Sequence, residues 1–153
     1  MNKIFLKLSF FSLFLLGLSA TSNAQFKAPV DQPWKSTQLI MPETLNEMTS
    51  AGKKVKIYNI GVVQDIKGAV NFGAASSKQN LENFKKAVKD LPKNEFIVFY
   101  CGCCPMDVCP NIRPAFKMLT EQQFTNIHLL NLPVNVKTDW VDKGYPLNEE
   151  AKN

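Results

Sequence analysis

The sequence predicts an α/β fold in which a central parallel sheet is flanked by helices. Short apolar runs typical of buried strands alternate along the chain with longer segments whose apolar residues recur every three or four positions. The chain shows no internal repeat and no second domain boundary. Since strands that alternate with helices are joined by crossover connections, we expect one domain with helices packed on a parallel sheet in three layers.

Residues 1–24 have the pattern of a cleavable secretory signal. Two lysines precede an apolar stretch over residues 8–18, and small residues follow it up to Ala24. The stretch is shorter than the ~20 apolar residues that cross a bilayer, so a membrane anchor is the weaker interpretation. We expect a periplasmic or secreted protein that begins at Gln25 and retains no stable membrane span.

The mature chain then begins with a lead-in, residues 25–38, that contains prolines and no apolar periodicity. We predict that it is extended and carries no chemistry. The folded domain is predicted over residues 39–153. Its first helix starts at Pro42, where the missing amide proton costs nothing, and ends before Gly52. Residues 55–60 form the first predicted strand.

The second half of the predicted domain continues the alternation. Residues 79–91 are predicted to form a helix, because apolar side chains follow one face and lysines the other. The apolar run over residues 96–100 reads as a buried strand. A third helix over residues 113–123 and a strand over residues 127–130 complete the pattern.

All four cysteines of the chain lie in the nine residues after the strand predicted at 96–100, as Cys101, Cys103, Cys104 and Cys109. Sites in parallel sheets form at the carboxyl ends of strands. Backbone amides and a following helix N-terminus favour a thiolate there. A shift in pKa from ~8.5 to ~6.5 raises the thiolate fraction at neutral pH from about 3% to about 75%. Cys101 is therefore the predicted nucleophile.

Four segments resemble, in the same order, the motifs of rhodanese-like sulfurtransferases. Residues 97–101 resemble the strand and catalytic cysteine of that family, and residues 65–71 resemble its early glycine-alanine segment. Residues 124–127 are similar to the phenylalanine turn into the next strand. Residues 140–146 match the closing tryptophan, three spacers, glycine, one spacer and proline. The resemblance implies a rhodanese-like three-layer fold.

The chain also departs from the family pattern. Residues 58–61 replace the family's aspartate and arginine at the end of the first strand, and Asp65 stands in place of a histidine. Arg113 lies twelve residues after Cys101, about twice the family's usual spacing, so the loop is enlarged. An arginine at this helix start is compatible with anion binding in the site, and also with a carboxylate-paired or solvent-facing side chain.

The resemblance implies sulfur transfer without a cofactor. The Cys101 thiolate would take a sulfane sulfur from a small thiosulfate-like donor and pass the persulfide to a thiol or other thiophilic acceptor. The residues expected to bind substrate are Gly102, Cys103, Cys104 and Arg113. The thiols able to attack a persulfide on Cys101, and so to act as resolving thiols, are Cys103, Cys104 and Cys109.

Two further functions stay open, because the cysteine pattern suits other thiol chemistry. A dense cluster of soft thiolates binds copper(I) or zinc, and copper(I) fits better because it accepts two or three thiolates. Cys101 and Cys104 also have the Cys-x-x-Cys spacing of thioredoxin-like oxidoreductases, although late in the chain for that fold. A structural disulfide between Cys101 and Cys109 would contribute roughly 2 to 3 kcal/mol, for which a domain of this size has little need.

The remaining features argue against other functions. Removal of Lys3 and Lys7 with the signal lowers the net charge from +5 to +3 and leaves no basic run, so nucleic acid is not an expected partner. The only histidine, His128, lies in a predicted strand, and no catalytic triad can be assembled. Trp140 and Tyr145 are expected to pack rather than to bind a ligand.

Overall fold

The computed structural model describes residues 32–149. The strands are β1 (Leu39–Ile40), β2 (Lys56–Asn59), β3 (Ala69–Asn71), β4 (Ile97–Tyr100) and β5 (Ile127–Leu130). The α-helices are α1 (Pro42–Ser50), α2 (Lys78–Val88), α3 (Ile112–Glu121) and α4 (Val136–Asp139). Three short 3₁₀ helices are Ser36–Gln38, Met106–Val108 and Val141–Lys143. The predicted signal lies outside the described residues.

The five strands form one sheet in the order β1-β5-β4-β2-β3, and every neighbouring pair is parallel. Phe99 in β4 lies opposite Tyr58 in β2 on one side and Leu129 in β5 on the other. The sequence-based prediction of a parallel α/β sheet is therefore confirmed, and β4 is its central strand.

Both faces of the sheet are covered, which explains why β4 reads as an uninterrupted apolar run. Ile97 and Phe99 belong to the hydrophobic cluster that includes residues of α2 and α3. Val98 and Tyr100 belong to the opposite cluster, which includes residues of α1 and α4. Because successive side chains of a strand point to opposite faces, the sheet separates two cores and β4 is buried in both.

The predicted helices and strands agree with the structure except at the sheet edges. The sequence did not predict β1, β3 or α4 as elements. The two strands have only two and three residues and occupy the two edges of the sheet. In β3 only Ala69 is buried, while Val70 is 52% exposed. Short half-exposed strands carry too few apolar residues to produce a pattern.

The described part of the lead-in differs from the expected extended segment. Residues 36–38 form a 3₁₀ helix, and Trp34 is 7% exposed. The Trp34 ring packs edge-on against Phe116 of α3, with ring centroids 5.8 Å apart. The lead-in therefore contributes a large aromatic side chain to the core on the α3 side of the sheet.

The packing roles expected for the aromatic tail are confirmed. Trp140 is 1% exposed, contacts the Tyr145 ring and donates from Nε1 to the Pro146 carbonyl at 3.0 Å. His128 lies in β5, stacks on Phe96 and has its pKa lowered by burial. Within residues 32–149, no helix has the length and apolarity needed to cross a membrane.

Candidate functional site

The cysteine loop begins at the middle of the carboxyl edge of the sheet. Cys101 directly follows β4, and the loop continues to α3. The residue is only 2% exposed, so its sulfur lies inside the protein rather than at the loop surface. The central position of β4 therefore places Cys101 where parallel sheets commonly form sites.

Gly102 makes the turn that follows Cys101. Its φ is +72°, a left-handed conformation that favours glycine. Its carbonyl accepts a hydrogen bond from the Val136 amide at 2.9 Å. A Cβ at Gly102 would lie 2.8 Å from the Val136 Cβ and 3.1 Å from Val63 Cγ2. The turn is therefore confined between α4 and the loop after β2.

The turn brings the cysteine sulfurs together. The Cys101 and Cys103 Sγ atoms are 3.1 Å apart, and those of Cys103 and Cys104 are 3.5 Å apart. The Sγ atoms of Cys101, Cys103 and Cys109 all lie within 4.8 Å of one another. All four cysteines are free. Cys101 and Cys109 are buried, Cys104 is half-buried and Cys103 is exposed.

Asn111 is a site residue that the sequence analysis missed. It is 4% exposed, and its Nδ2 donates to Cys101 Sγ at 3.1 Å. Its Oδ1 accepts from the Ser76 amide at 2.8 Å, which fixes the orientation of the side-chain amide. Asn111 stands at the N-cap of α3, but its side chain makes no capping hydrogen bond. An asparagine two residues before the helix predicted over residues 113–123 was the available signal, although asparagine near a helix start ordinarily indicates a cap.

Hydrogen bonds shift the pKa values of Cys101, Cys103 and Cys109 in opposite directions. The pKa of Cys101 is lowered to about 5, although burial opposes the shift. The largest cause is a hydrogen bond from the Cys109 thiol, and the Asn111 side chain and Cys103 donate the others. The pKa of Cys109 is raised, mainly because its thiol is hydrogen-bonded to Cys101 and secondly because it is buried. The pKa of Cys103 is raised to about 12, mainly by burial of the sulfur and secondly by its hydrogen bond with Cys101. At neutral pH Cys101 is thus the sulfur best prepared to attack a substrate, and its role as the nucleophile stays a prediction.

Gly61 covers Cys101 from the loop after β2. A Cβ at this position would lie 2.3 Å from the Cys101 carbonyl oxygen and 2.9 Å from Cys101 Sγ. Only glycine allows the two loops to approach this closely. The sequence analysis treated Gly61 as part of a departure from the family pattern and assigned it no role at the site.

Asn59 holds Gly61 in place. Its side chain is fully buried and donates to the Val63 carbonyl and to Asp65 Oδ1, both at 2.8 Å. Its Oδ1 accepts from the Gly61 amide at 2.9 Å. Asp65 also accepts from Asn71 Nδ2 at 2.9 Å. Asn59 and Asp65, at two positions where the chain departs from the rhodanese-like pattern, are therefore hydrogen-bonded to each other.

Arg113 contacts the outer part of the loop. Its Nη2 donates to the Asp107 carbonyl at 2.9 Å and to Gln32 Oε1 at 3.4 Å, and the guanidinium lies over the Trp34 ring. None of its hydrogen bonds within residues 32–149 is to a cysteine. The structure therefore places Gly102 and Cys103 beside Cys101, and Cys104 beside Cys103. Arg113 has its contacts elsewhere, where it joins the cysteine loop to the lead-in.

Comparison of the chain with protein-family models, with curated proteins and with solved structures finds no match. The geometry of the cysteine loop therefore carries the functional inference, and the motif resemblance stays a prediction.

Proposed function

We propose that this chain is an exported rhodanese-like sulfurtransferase that carries a sulfane sulfur as a persulfide on Cys101. One observation carries the proposal: Cys101 Sγ lies at the carboxyl end of the central strand and receives hydrogen bonds from an amide side chain and from neighbouring thiols. These donors stabilise a thiolate in a site that excludes most solvent. A parallel sheet with β4 at its centre supports the family assignment.

The proposed chemistry balances with a thiosulfate-like donor. The Cys101 thiolate attacks the sulfane sulfur, a sulfur–sulfur bond forms, and the donor's own sulfur–sulfur bond breaks. With thiosulfate, sulfite leaves with the electron pair of that bond. A thiophilic acceptor then attacks the persulfide, and the Cys101 thiolate is regenerated. Asn111 positions Cys101 throughout, because its own amide is held by Ser76.

The test is a single turnover of the reduced mature chain with thiosulfate, and in parallel with polysulfide, without oxygen. We expect one sulfite per chain from thiosulfate and an early mass gain of about 32 Da from either donor. Cys101→Ser removes both signals. Val108→Ser, at a 59% exposed position of the same loop, serves as the control and keeps both. Sulfur uptake that survives in Cys101→Ser would contradict the proposal.

Soft-metal binding is the second candidate function, and the three sulfurs within 4.8 Å of one another favour it. Cys101, Cys103 and Cys109 would supply a three-thiolate set, which suits copper(I) better than zinc. Titration of the reduced chain with copper(I) separates the two functions. Uptake of one ion per chain, lost in Cys109→Ser, without any sulfur adduct would favour a metal-binding module over the sulfurtransferase.

The geometry gives less support to thiol–disulfide exchange through Cys101 and Cys104. Within residues 32–149 the hydrogen bonds of the Cys104 sulfur are with Cys103 and Cys109. The Cys-x-x-Cys interpretation stays a prediction. Its signature would be reversible loss of two hydrogens from the Cys101 and Cys104 pair, with neither sulfur nor copper uptake.

A further inference from the structure

We propose that Cys103 is the resolving thiol of this site, which discharges the Cys101 persulfide as hydrosulfide and closes a Cys101–Cys103 disulfide. The inference rests on the proposed function and names the acceptor that the loaded site uses first. That acceptor is a side chain of the same loop. The protein would therefore release reduced sulfur rather than hand a sulfane sulfur to an external thiol.

Access to the sulfur supports an internal acceptor. Cys101 is 2% exposed, and the Gly61 backbone and the Asn111 side chain lie against its sulfur. A protein thiol or other bulky acceptor needs room that this cover does not leave. Cys103 is exposed and its Sγ is already beside Cys101, so it connects the buried nucleophile with the solvent.

Proximity distinguishes Cys103 from Cys104. The Cys103 Sγ lies 3.1 Å from Cys101 Sγ, within the ~3 to 3.5 Å of a near-attack arrangement. The left-handed turn at Gly102, confined by Val136, keeps the two sulfurs on the same side of the loop. Cys104 contacts Cys103 rather than Cys101. Attack by Cys103 on the Cys101 sulfur therefore needs only a small movement.

The need to reduce the disulfide again, so that the Cys101 thiolate is regenerated, distinguishes Cys103 from Cys109. Cys109 is 0% exposed, and its sulfur accepts a hydrogen bond from the Asn111 backbone amide. A Cys101–Cys109 disulfide would be buried at both sulfurs, out of reach of a reducing thiol, because exchange requires access to a sulfur. A Cys101–Cys103 disulfide presents the sulfur of an exposed residue. Cys109 then serves as a hydrogen-bond donor to the thiolate.

The step balances without an added oxidant or reductant. The Cys103 sulfur forms a bond to Cys101 Sγ, and the bond from Cys101 Sγ to the sulfane sulfur breaks. The sulfane sulfur leaves with that electron pair and takes up the Cys103 proton as hydrosulfide. The two cysteine sulfurs are oxidised and the sulfane sulfur is reduced. An external dithiol then reduces the disulfide and is itself oxidised, which resets the site.

The experiment follows the loaded chain after removal of donor, without oxygen and without reductant. Trapped hydrosulfide and intact mass are measured together over time. In the natural sequence we expect the gain of about 32 Da to turn into a loss of about 2 Da, with one hydrosulfide released per chain. In Cys103→Ser we expect the sulfur adduct to persist and hydrosulfide release to slow roughly tenfold or more. Val108→Ser is the control for a change in the exposed loop.

The outcomes that contradict this inference can be distinguished from those that contradict the proposed function. Unchanged release in Cys103→Ser overturns the inference, as does release that is lost in Cys109→Ser or Cys104→Ser but not in Cys103→Ser. An adduct that stays on the natural sequence until an external thiol is added also overturns it, while the proposed function stands. The absence of both a sulfur adduct and hydrosulfide release in the natural sequence overturns the proposed function and this inference with it.

Discussion

Two loops leave neighbouring strands at the same edge of the sheet, and they use their polar groups in opposite ways. β2 and β4 end side by side, with Asn59 opposite Tyr100. The loop after β2 directs its side-chain hydrogen bonds at its own backbone and carboxylate. The loop after β4 receives hydrogen bonds at a sulfur. One loop is therefore a scaffold, while the other carries a reactive atom.

The difference shows how a reactive loop can be kept in a defined shape. The hydrogen bonds around Cys101 stabilise its thiolate, so their contribution is lost when the sulfur is protonated. The neighbouring loop compensates, because all three hydrogen bonds of the buried Asn59 side chain are between 2.8 and 2.9 Å. Gly61 then transmits this rigidity by direct contact with Cys101.

The strongest test of the scaffold role is Asn59→Ala. The change leaves the Gly61 amide and the Val63 carbonyl without their partners in a buried place, so we expect a loss of about 3 kcal/mol in the free energy of unfolding. Denaturant unfolding of the reduced chain measures it. The exposed turn residue Asn94, changed to alanine, is the control and should stay within about 0.5 kcal/mol. A loss below about 1 kcal/mol in Asn59→Ala would remove the contrast between the loops.

Gly61→Ala tests the contact between the two loops. Since the new Cβ would lie 2.3 Å from the Cys101 carbonyl oxygen, the backbone must move, at a cost of about 2 kcal/mol. We also expect slower alkylation of Cys101, because the hydrogen bonds at its sulfur are displaced. Gly68→Ala is the matched control: its left-handed φ of +83° adds strain, but nothing lies within 4 Å of the new Cβ. Equal alkylation rates in both variants would show that the loops are independent.

Asn111→Ala tests the hydrogen bond that the loop after β4 receives at the Cys101 sulfur. Loss of the Nδ2 hydrogen bond raises the pKa of Cys101 from about 5, because the thiolate loses a donor. The pH midpoint of Cys101 alkylation, followed by peptide mass, should move upward in Asn111→Ala. In Asn59→Ala the folded chain should keep the lower midpoint. The same midpoint in Asn111→Ala and the natural sequence would mean that Asn111 supports structure alone.

The pH dependence of stability in the reduced chain tests whether the folded protein holds a thiolate. The pKa of Cys101 is about 5 when folded, below its ordinary value of 9.0, so the unfolded chain binds more protons between these values. Its contribution to stability is therefore full above pH 9 and is lost as pH falls toward 5. The raised pKa values of Cys103 and Cys109 lower stability above pH 9. Solvent beside the exposed Cys103 screens these effects.

Unfolding measured at several pH values, in the natural sequence and in Cys101→Ser, isolates this contribution. His128 also has a lowered pKa and contributes to both chains, so the difference between the two curves reports Cys101. A difference that does not change with pH between 5 and 9 would show that the folded chain does not hold a stabilised thiolate.

Much of the scaffold follows from local sequence patterns. The apolar run over residues 96–100 predicted a buried strand, since a strand buried on both faces has no polar positions. Helical spacing predicted α1, α2 and α3 for a similarly local reason. The four cysteines in one stretch made the loop after this strand the candidate site, because a residue that directly follows a parallel strand lies at the carboxyl edge of the sheet.

The sequence by itself therefore determined the parallel α/β sheet, the buried strand that became β4 and the position of Cys101 directly after it. Only the tertiary structure decided which groups surround that cysteine. Asn111 is oriented by Ser76, thirty-five residues away, and Gly61 contacts Cys101 from the loop after the neighbouring strand. Arg113 is directed to Gln32, eighty-one residues away. Periodicity specifies which face of each element is buried, whereas hydrogen-bond partners depend on how distant elements pack against one another.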